Sequence, residues 1–280
     1  MPTAPVIALL SDFGTQDPYA AIMKAVISRL APGTAIVDIT HEIPAGDVRR
    51  AAFVLWQACP YFPTGSVFLA VVDPGVGTDR RAIRLDTNRR IFIGPDNGLF
   101  TYILTPDCQA WELQNPEYQL ENLSSTFHGR DIFAPAAAYS ALNIEGKKFG
   151  DRVTDPLTFP LPLLESPTPG RITGEILHAD RYGNLVTSLG CFQAQGDQFM
   201  LRPWIGDLPT RPLSPSEWVL KLPNGLTPPW VHAFADLPPH ALGVLIGSTG
   251  LLEIVARGGS AADLLQLSPE TQVSLFRRGS

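Results

Sequence analysis

The chain reads as an α/β protein: an N-terminal α/β/α domain with a mainly parallel sheet, followed by a smaller C-terminal β-barrel-like domain. Three observations predict this. The first half alternates short apolar runs with stretches of helical spacing. The second half carries short β-like runs separated by turn signals. Between them lies a proline-rich stretch, Phe159 to Gly170 (FPLPLLESPTPG). The boundaries are 1–160 for the first domain, 161–170 for the linker and 171–280 for the second domain.

The elements follow in order. Val6-Ile7-Ala8-Leu9-Leu10 suits a buried strand and ends in Ser11-Asp12-Phe13-Gly14-Thr15. Asp17 before Pro18 reads as an N-cap followed by proline at the first helical position. Ala21, Ile22, Ala25, Val26 and Leu30 give helical spacing, stopped by Pro32-Gly33. Ile36 to Ile39 is a second strand, Ala51 to Cys59 a second helix, and Val67 to Val72 a third strand ending at Asp73-Pro74-Gly75. Ile91-Phe92-Ile93 runs into Gly94-Pro95-Asp96-Asn97-Gly98, and an alanine-rich helix begins near Ile132. In the second half, strands are expected at 172–177, 185–187, 218–220 and 241–246.

Bulk properties exclude several function classes. The 280 residues suffice for a large core without staples. A formal net charge of −6 disfavours a phosphate backbone as partner, so no nucleic acid is expected. Cys59, Cys108 and Cys191 are too few and too far apart for a zinc site or a disulfide framework. No apolar run approaches the roughly 18 residues that span a bilayer, and no basic region precedes an apolar stretch at the start. The chain therefore reads as cytoplasmic, with no membrane partner.

In open α/β sheets, ligands gather beyond the carboxyl ends of the strands. Asp12, Asp73, Asp96 and Asn97 sit there, and Thr126 to Asp131 opens the alanine-rich helix. Each also suits a plainer role: Asp12 as a turn former, His128 as a hydrogen-bonded structural histidine, Phe127 and Tyr182 as core aromatics. Gly75-Val76-Gly77 lacks both the third glycine of a dinucleotide fingerprint and a P-loop lysine. No second histidine has ligand spacing to His128, so no metal is expected.

The strings SDFGTQD (11–17), DITHEIPAGD (38–47), VVDPGVGTDRR (71–81), GPDNG (94–98), STFHGRDIFAPAAA (125–138), DRYGN (180–184) and IGSTGLLEIVARGGSAA (246–262) resemble the S-adenosyl-L-methionine (SAM) hydroxide adenosyltransferases. These are relatives of the SAM-dependent fluorinase and chlorinase. The resemblance runs in order along nearly the whole chain. It implies an N-terminal α/β domain, a C-terminal β-barrel, and a homotrimer with SAM held at subunit interfaces.

It further implies hydrolysis of SAM to adenosine and L-methionine by activated water, with Asp73, Arg80 and His128 as the catalytic set. The residues it implies for substrate binding are Asp12 at the ribose hydroxyls and Asp17 near the methionine amine. Asp180, Asn184 and Ser248 would meet the methionine or adenine portion, with Phe127 and Tyr182 as apolar walls. SAM is the substrate, and no cofactor is implied. Two other readings stay open: a SAM-dependent halogenase, against which Asp73 and His128 speak, and a non-catalytic SAM- or nucleoside-binding sensor. Thr249 stands where some relatives carry arginine or serine, which leaves the methionine-carboxylate contact open.

Overall fold

The structure, a computed structural model, describes residues 5–196 and 198–279. It divides into two compact units, joined between Phe159 and Pro160.

The N-terminal unit is built on one seven-stranded sheet. Its elements are β1 (Ile7–Ser11), α1 (Tyr19–Leu30), β2 (Ile36–Thr40), α2 (Val48–Ala58), β3 (Val67–Val71), β4 (Ala82–Asp86), β5 (Ile91–Pro95), β6 (Gln109–Glu112), α3 (Ala134–Ala141) and β7 (Arg152–Val153). The strand order is β2-β1-β3-β5-β4-β6-β7. Pairings are parallel from β2 through β5 and antiparallel from β5 to β7. The parallel half is the half the sequence announces; β4, β6 and β7 extend it by hairpin-like returns.

Strand alternation sets the layers. Ile7 and Leu9 of β1, with Val67, Leu69 and Val71 of β3, pack with Met23 and Ile27 of α1 and the alanines of α3. Ala8 and Leu10, with Phe68 and Ala70, face the other way, onto Ala51 and Leu55 of α2. Helices thus cover both faces; the central parallel strands β1 and β3 are buried throughout, while β2 at the sheet edge is half-exposed. β1 and β3 run in register from Ile7–Val67 to Ser11–Val71, which brings the loops beginning at Asp12 and at Val72 to the same sheet edge.

Helix α1 starts one residue later than its sequence predicts. Pro18, not Asp17, occupies the N-cap, and no side chain caps it. A proline ring fixes φ near the helical value, and Pro18 offers its carbonyl to Ile22 N–H as the first helical bond. Asp17 is exposed and free of the capping role. The cap reading holds instead at α2, where Asp47 accepts a hydrogen bond from Arg50 N–H.

The C-terminal unit is antiparallel. It comprises β8 (Leu164–Thr168), β9 (Arg171–Ala179), β10 (Leu185–Thr187), β11 (Phe192–Gln195), β12 (Gln198–Leu201), β13 (Arg211–Leu213), β14 (Trp218–Lys221), β15 (Leu242–Ile246), β16 (Leu252–Ala256), α4 (Ala261–Leu265) and β17 (Gln272–Arg277). The main sheet runs β14-β17-β9-β10-β16-β15, with β8 on β9; β11-β12-β13 form a small separate sheet. Trp230 helps close the barrel. Its backbone bridges to Val244 of β15, and its indole N–H donates to the Trp218 carbonyl of β14. Ile172, Ile176, Leu220, Ile254 and Leu275 fill the interior. The proline-rich stretch at 161–170 contains β8, a strand hydrogen-bonded to β9. Prolines are tolerated there because β8 pairs with one neighbour only.

Among the described residues, no helix is long and apolar enough to cross a membrane. The three cysteines are free thiols.

Candidate active site

Three polar segments converge beyond the carboxyl ends of β1 and β3. The loop after β3 turns tightly: Val76 N–H donates to the Asp73 carbonyl, and Thr78 donates both its N–H and its hydroxyl to the Gly75 carbonyl. This turn folds Arg80 back onto Asp73. Arg80 Nε donates to Asp73 Oδ1 and Oδ2 at 2.9 and 3.0 Å, and Nη2 donates to Oδ2. The two side chains are only 10% and 6% exposed, and the guanidinium lies over the Phe133 ring. A buried, multiply bonded arginine–carboxylate pair is held in one geometry.

The same Arg80 Nη2 lies 2.8 Å from His128 Nδ1. Guanidinium nitrogens only donate, so Nδ1 must be the acceptor. A neutral His128 then carries its proton on Nε2. Burial, and next the Arg80 charge, push the His128 pKa below its ordinary value; Asp73 and Asp131 pull the other way with smaller effect. The imidazole is therefore neutral at neutral pH.

Gly77 makes this meeting possible. It has φ of +80°, and a Cβ there would lie 2.5 Å from the Ser125 carbonyl oxygen. Only glycine lets the Asp73–Arg80 loop press against the segment that leads to His128. That segment is anchored below by Asp131, fully buried, which accepts hydrogen bonds from Ser124 N–H and from Arg130. His128 immediately precedes a π-helical turn, Gly129–Phe133, that feeds α3.

Asp12 sits in the loop after β1 and accepts a hydrogen bond from Gly46 N–H at 2.8 Å. Phe127 packs edge-on against Phe13 and Tyr19, with centroids 6.0 and 5.2 Å away, and Arg130 lies over its ring. Phe13 and Tyr19 belong to this wall, although sequence reasoning passed them over. The DFG turn and the Pro-Tyr start of α1 were their only signals. Asp96 and Asn97 are committed to the scaffold. Asp96 is paired with Arg81 and accepts Leu157 N–H; Asn97 donates to the carbonyl of Val72, one residue before Asp73.

In the C-terminal unit, Asp180 and Asn184 come together across the turn between β9 and β10. Asp180 Oδ1 accepts the N–H groups of Tyr182 and Asn184, and Oδ2 accepts the Asn184 amide at 2.9 Å. Tyr182 is 78% exposed, no core aromatic. Ser248 is exposed on the loop between β15 and β16. Sequence reasoning missed Glu253 of β16. Its carboxyl fills the space where a side chain at Gly247 would be. Burial, and then the Asp180 charge, push its pKa up to about 7. In LLEIVA it reads as an ordinary outward-facing strand residue.

Among the described residues, no group of three or more His, Cys, Asp or Glu side chains is placed to hold a metal ion.

Two family models match: the SAM hydroxide adenosyltransferase N-terminal domain over residues 7–150 and its C-terminal domain over 174–274. An (R)-S-adenosyl-L-methionine hydrolase of Thermus thermophilus is 39% identical over 279 residues, 96% of this chain and 99% of the relative. A fluorinase of Actinoplanes is 27% identical over 66% of this chain and 72% of its own length. Among solved structures, an uncharacterized conserved protein of Thermotoga maritima superposes with a TM-score of 0.83 at 31% identity, covering 97% of this chain and all of that one.

Proposed function

Since the chain belongs to the SAM hydroxide adenosyltransferase family, we propose that it hydrolyses SAM to adenosine and L-methionine, with Asp73, Arg80 and His128 acting on the attacking water. The observation that carries this is the single arginine bonded to both other members of the set.

The chemistry asks little of the protein at the leaving group. Sulfur is already a cation, so breaking C5′–S returns an electron pair to it and releases methionine as a neutral thioether. The difficulty is the nucleophile. Water oxygen must approach C5′ opposite sulfur and shed a proton as the new C5′–O bond forms. With Nδ1 engaged by Arg80, His128 presents an N–H at Nε2 and orients water rather than deprotonating it. Asp73 takes the proton: Arg80 engages its two oxygens with two N–H groups, Nε shared between both and Nη2 on Oδ2, which leaves lone-pair capacity for water. Arg80 keeps both partners fixed.

The Asp73 carboxylate also disfavours a halide nucleophile. Two like charges about 4 Å apart repel by roughly 4 kcal/mol at a surface-like dielectric, and by more when water is excluded. Asp12 holds the ribose hydroxyls, Asp17 lies toward the methionine amine, and the Phe127 wall is apolar. Asp180, Asn184, Tyr182 and Ser248 provide the C-terminal contacts, which a homotrimer would bring to the site of another subunit. The setting is the cytoplasm. The relatives' name specifies the (R) sulfonium, and the same epimer is the substrate here.

The test is incubation of the purified protein with each resolved SAM epimer, with and without chloride. Adenosine and methionine in equal amounts from the (R) form is the expected result. Absence of turnover, or a 5′-chloro nucleoside, contradicts it. A mass in solution other than a trimer's would remove the assembly from the proposal.

A further inference from the structure

A second network lies beneath the Asp12 loop. Ser11 Oγ and His41 Nδ1 are 2.7 Å apart, and His41 Nε2 lies 3.2 Å from Asp38 Oδ1. Asp38 in turn pairs with Lys24 of α1. The order serine–histidine–aspartate looks like a nucleophile and its base. Burial argues against that reading: Ser11 is 0% exposed and His41 4%, so the hydroxyl meets no substrate.

The network instead ties two loops together. His41 offers its backbone carbonyl to Gly14 N–H at 2.7 Å, and Ser11 offers its own to Ile43 N–H at 3.4 Å. Thr15 donates to Glu42, and Gly46 N–H reaches Asp12 Oδ2. The segments 11–15 and 41–46 are thus stitched on both sides of Asp12. The His41 ring is the buried part of this stitch, wedged between the end of β1 and the end of β2. Ser11 Oγ also accepts a long hydrogen bond from Phe13 N–H, which links the ring to the residue after Asp12.

From this geometry we infer that His41 is a positioning residue: through Ser11 and the 41–46 loop it fixes the carboxylate of Asp12 for the substrate's ribose. The inference rests on the ribose role proposed for Asp12. His41 touches no substrate. It acts by holding a loop that must present one carboxylate to two hydroxyls, and a displacement of about 1 Å is costly for such a contact.

The experiment combines steady-state kinetics with amide hydrogen exchange on the full-length enzyme. His41→Ala should raise KM for SAM about tenfold while kcat stays within about threefold, the pattern of lost uniform binding. It should also speed exchange of the segment 11–16 in the free enzyme. His41→Asn keeps a polar atom near the Nδ1 position and should restore both. If His41→Ala does not fold, Ser11→Ala gives the same two readouts.

In combination with Asp12→Ala, the histidine change should add nothing further to KM, because the two act through one contact. KM losses that multiply, or exchange at 11–16 unchanged in His41→Ala, overturn the inference. A normal KM in Asp12→Ala alone removes the ribose role of Asp12 instead. In that case the exchange data still decide whether His41 holds the loop.

Discussion

The two units treat their acidic side chains differently. In the N-terminal unit, buried or half-buried carboxylates are matched with arginines: Asp73 with Arg80, Asp96 with Arg81, Asp86 with Arg84, Asp131 with Arg130. At the loop edge of the C-terminal unit, Asp180 is satisfied by backbone N–H groups and an amide, and Glu253 lies beside it with its pKa raised to about 7. An ion pair fixes charge and geometry before any ligand arrives. A desolvated carboxyl next to another carboxylate has its charge left open, to be set by pH or by whatever cation approaches. The N-terminal unit thus carries the arrangement suited to chemistry, and the C-terminal edge one suited to responding to a ligand.

The strongest way to break this contrast is to unmake the paired set. Asp73→Asn keeps the shape but loses the charge, and His128→Ala loses the Nε2 donor. Each should lower kcat by roughly 10²–10⁴-fold, the range for a positioned acid–base group, with KM little changed. The double variant should be far from additive, since the residues act as a unit. Equal losses in binding and turnover would turn the set into a substrate clamp.

A smaller effect comes from pH. Protonating His128 puts a donor on Nδ1, facing the donor of Arg80, and breaks that contact. Because the His128 pKa lies below the ordinary 6.5, kcat/KM should be level through pH 7 to 8. It should fall about tenfold per unit once pH drops below that pKa. A midpoint at or above 7 would mean that His128 is not held as the neutral acceptor.

The smallest effect belongs to Glu253. Its folded pKa is raised, so between the ordinary value of 4.5 and about 7 the unfolded chain is ionised while the folded one keeps its proton. The unfolded state then binds fewer protons, and stability declines as pH rises through that window. Glu253→Gln should remove the decline. Its Tm advantage should grow from pH 4.5 toward 7 and be level above. Parallel Tm curves for the two proteins would show that Glu253 titrates normally.

The same contrast governs how much the sequence disclosed. The central parallel strands β1 and β3 were legible because both their faces are buried, leaving unbroken apolar runs such as Val67 to Val72. Strand β4 was not. It places Arg84 inside the fold at 5% exposure, bonded to Asp86, Ser140 and the Ile144 carbonyl, and nothing local distinguishes that arginine from a surface one. Strand β8 was hidden by the prolines around it. At the site, Asp73 and Arg80 share one loop, but the bond from Arg80 to His128 spans 48 residues and comes from the approach at Gly77. Family resemblance named those three residues; it did not give the tautomer of His128. The buried pairing of Ser11 with His41 left no periodic signal, since a lone histidine between Thr40 and Glu42 looks like any loop residue.

On the proposed mechanism the paired set delivers water to carbon. Reaction of the enzyme with SAM in water enriched in oxygen-18, followed by mass analysis of the adenosine, tests that step. One heavy oxygen per adenosine is expected, located on the 5′ carbon, with its formation slowed in parallel with turnover in Asp73→Asn. Adenosine carrying no solvent oxygen, or labelled adenosine formed at the full rate by Asp73→Asn, would contradict it.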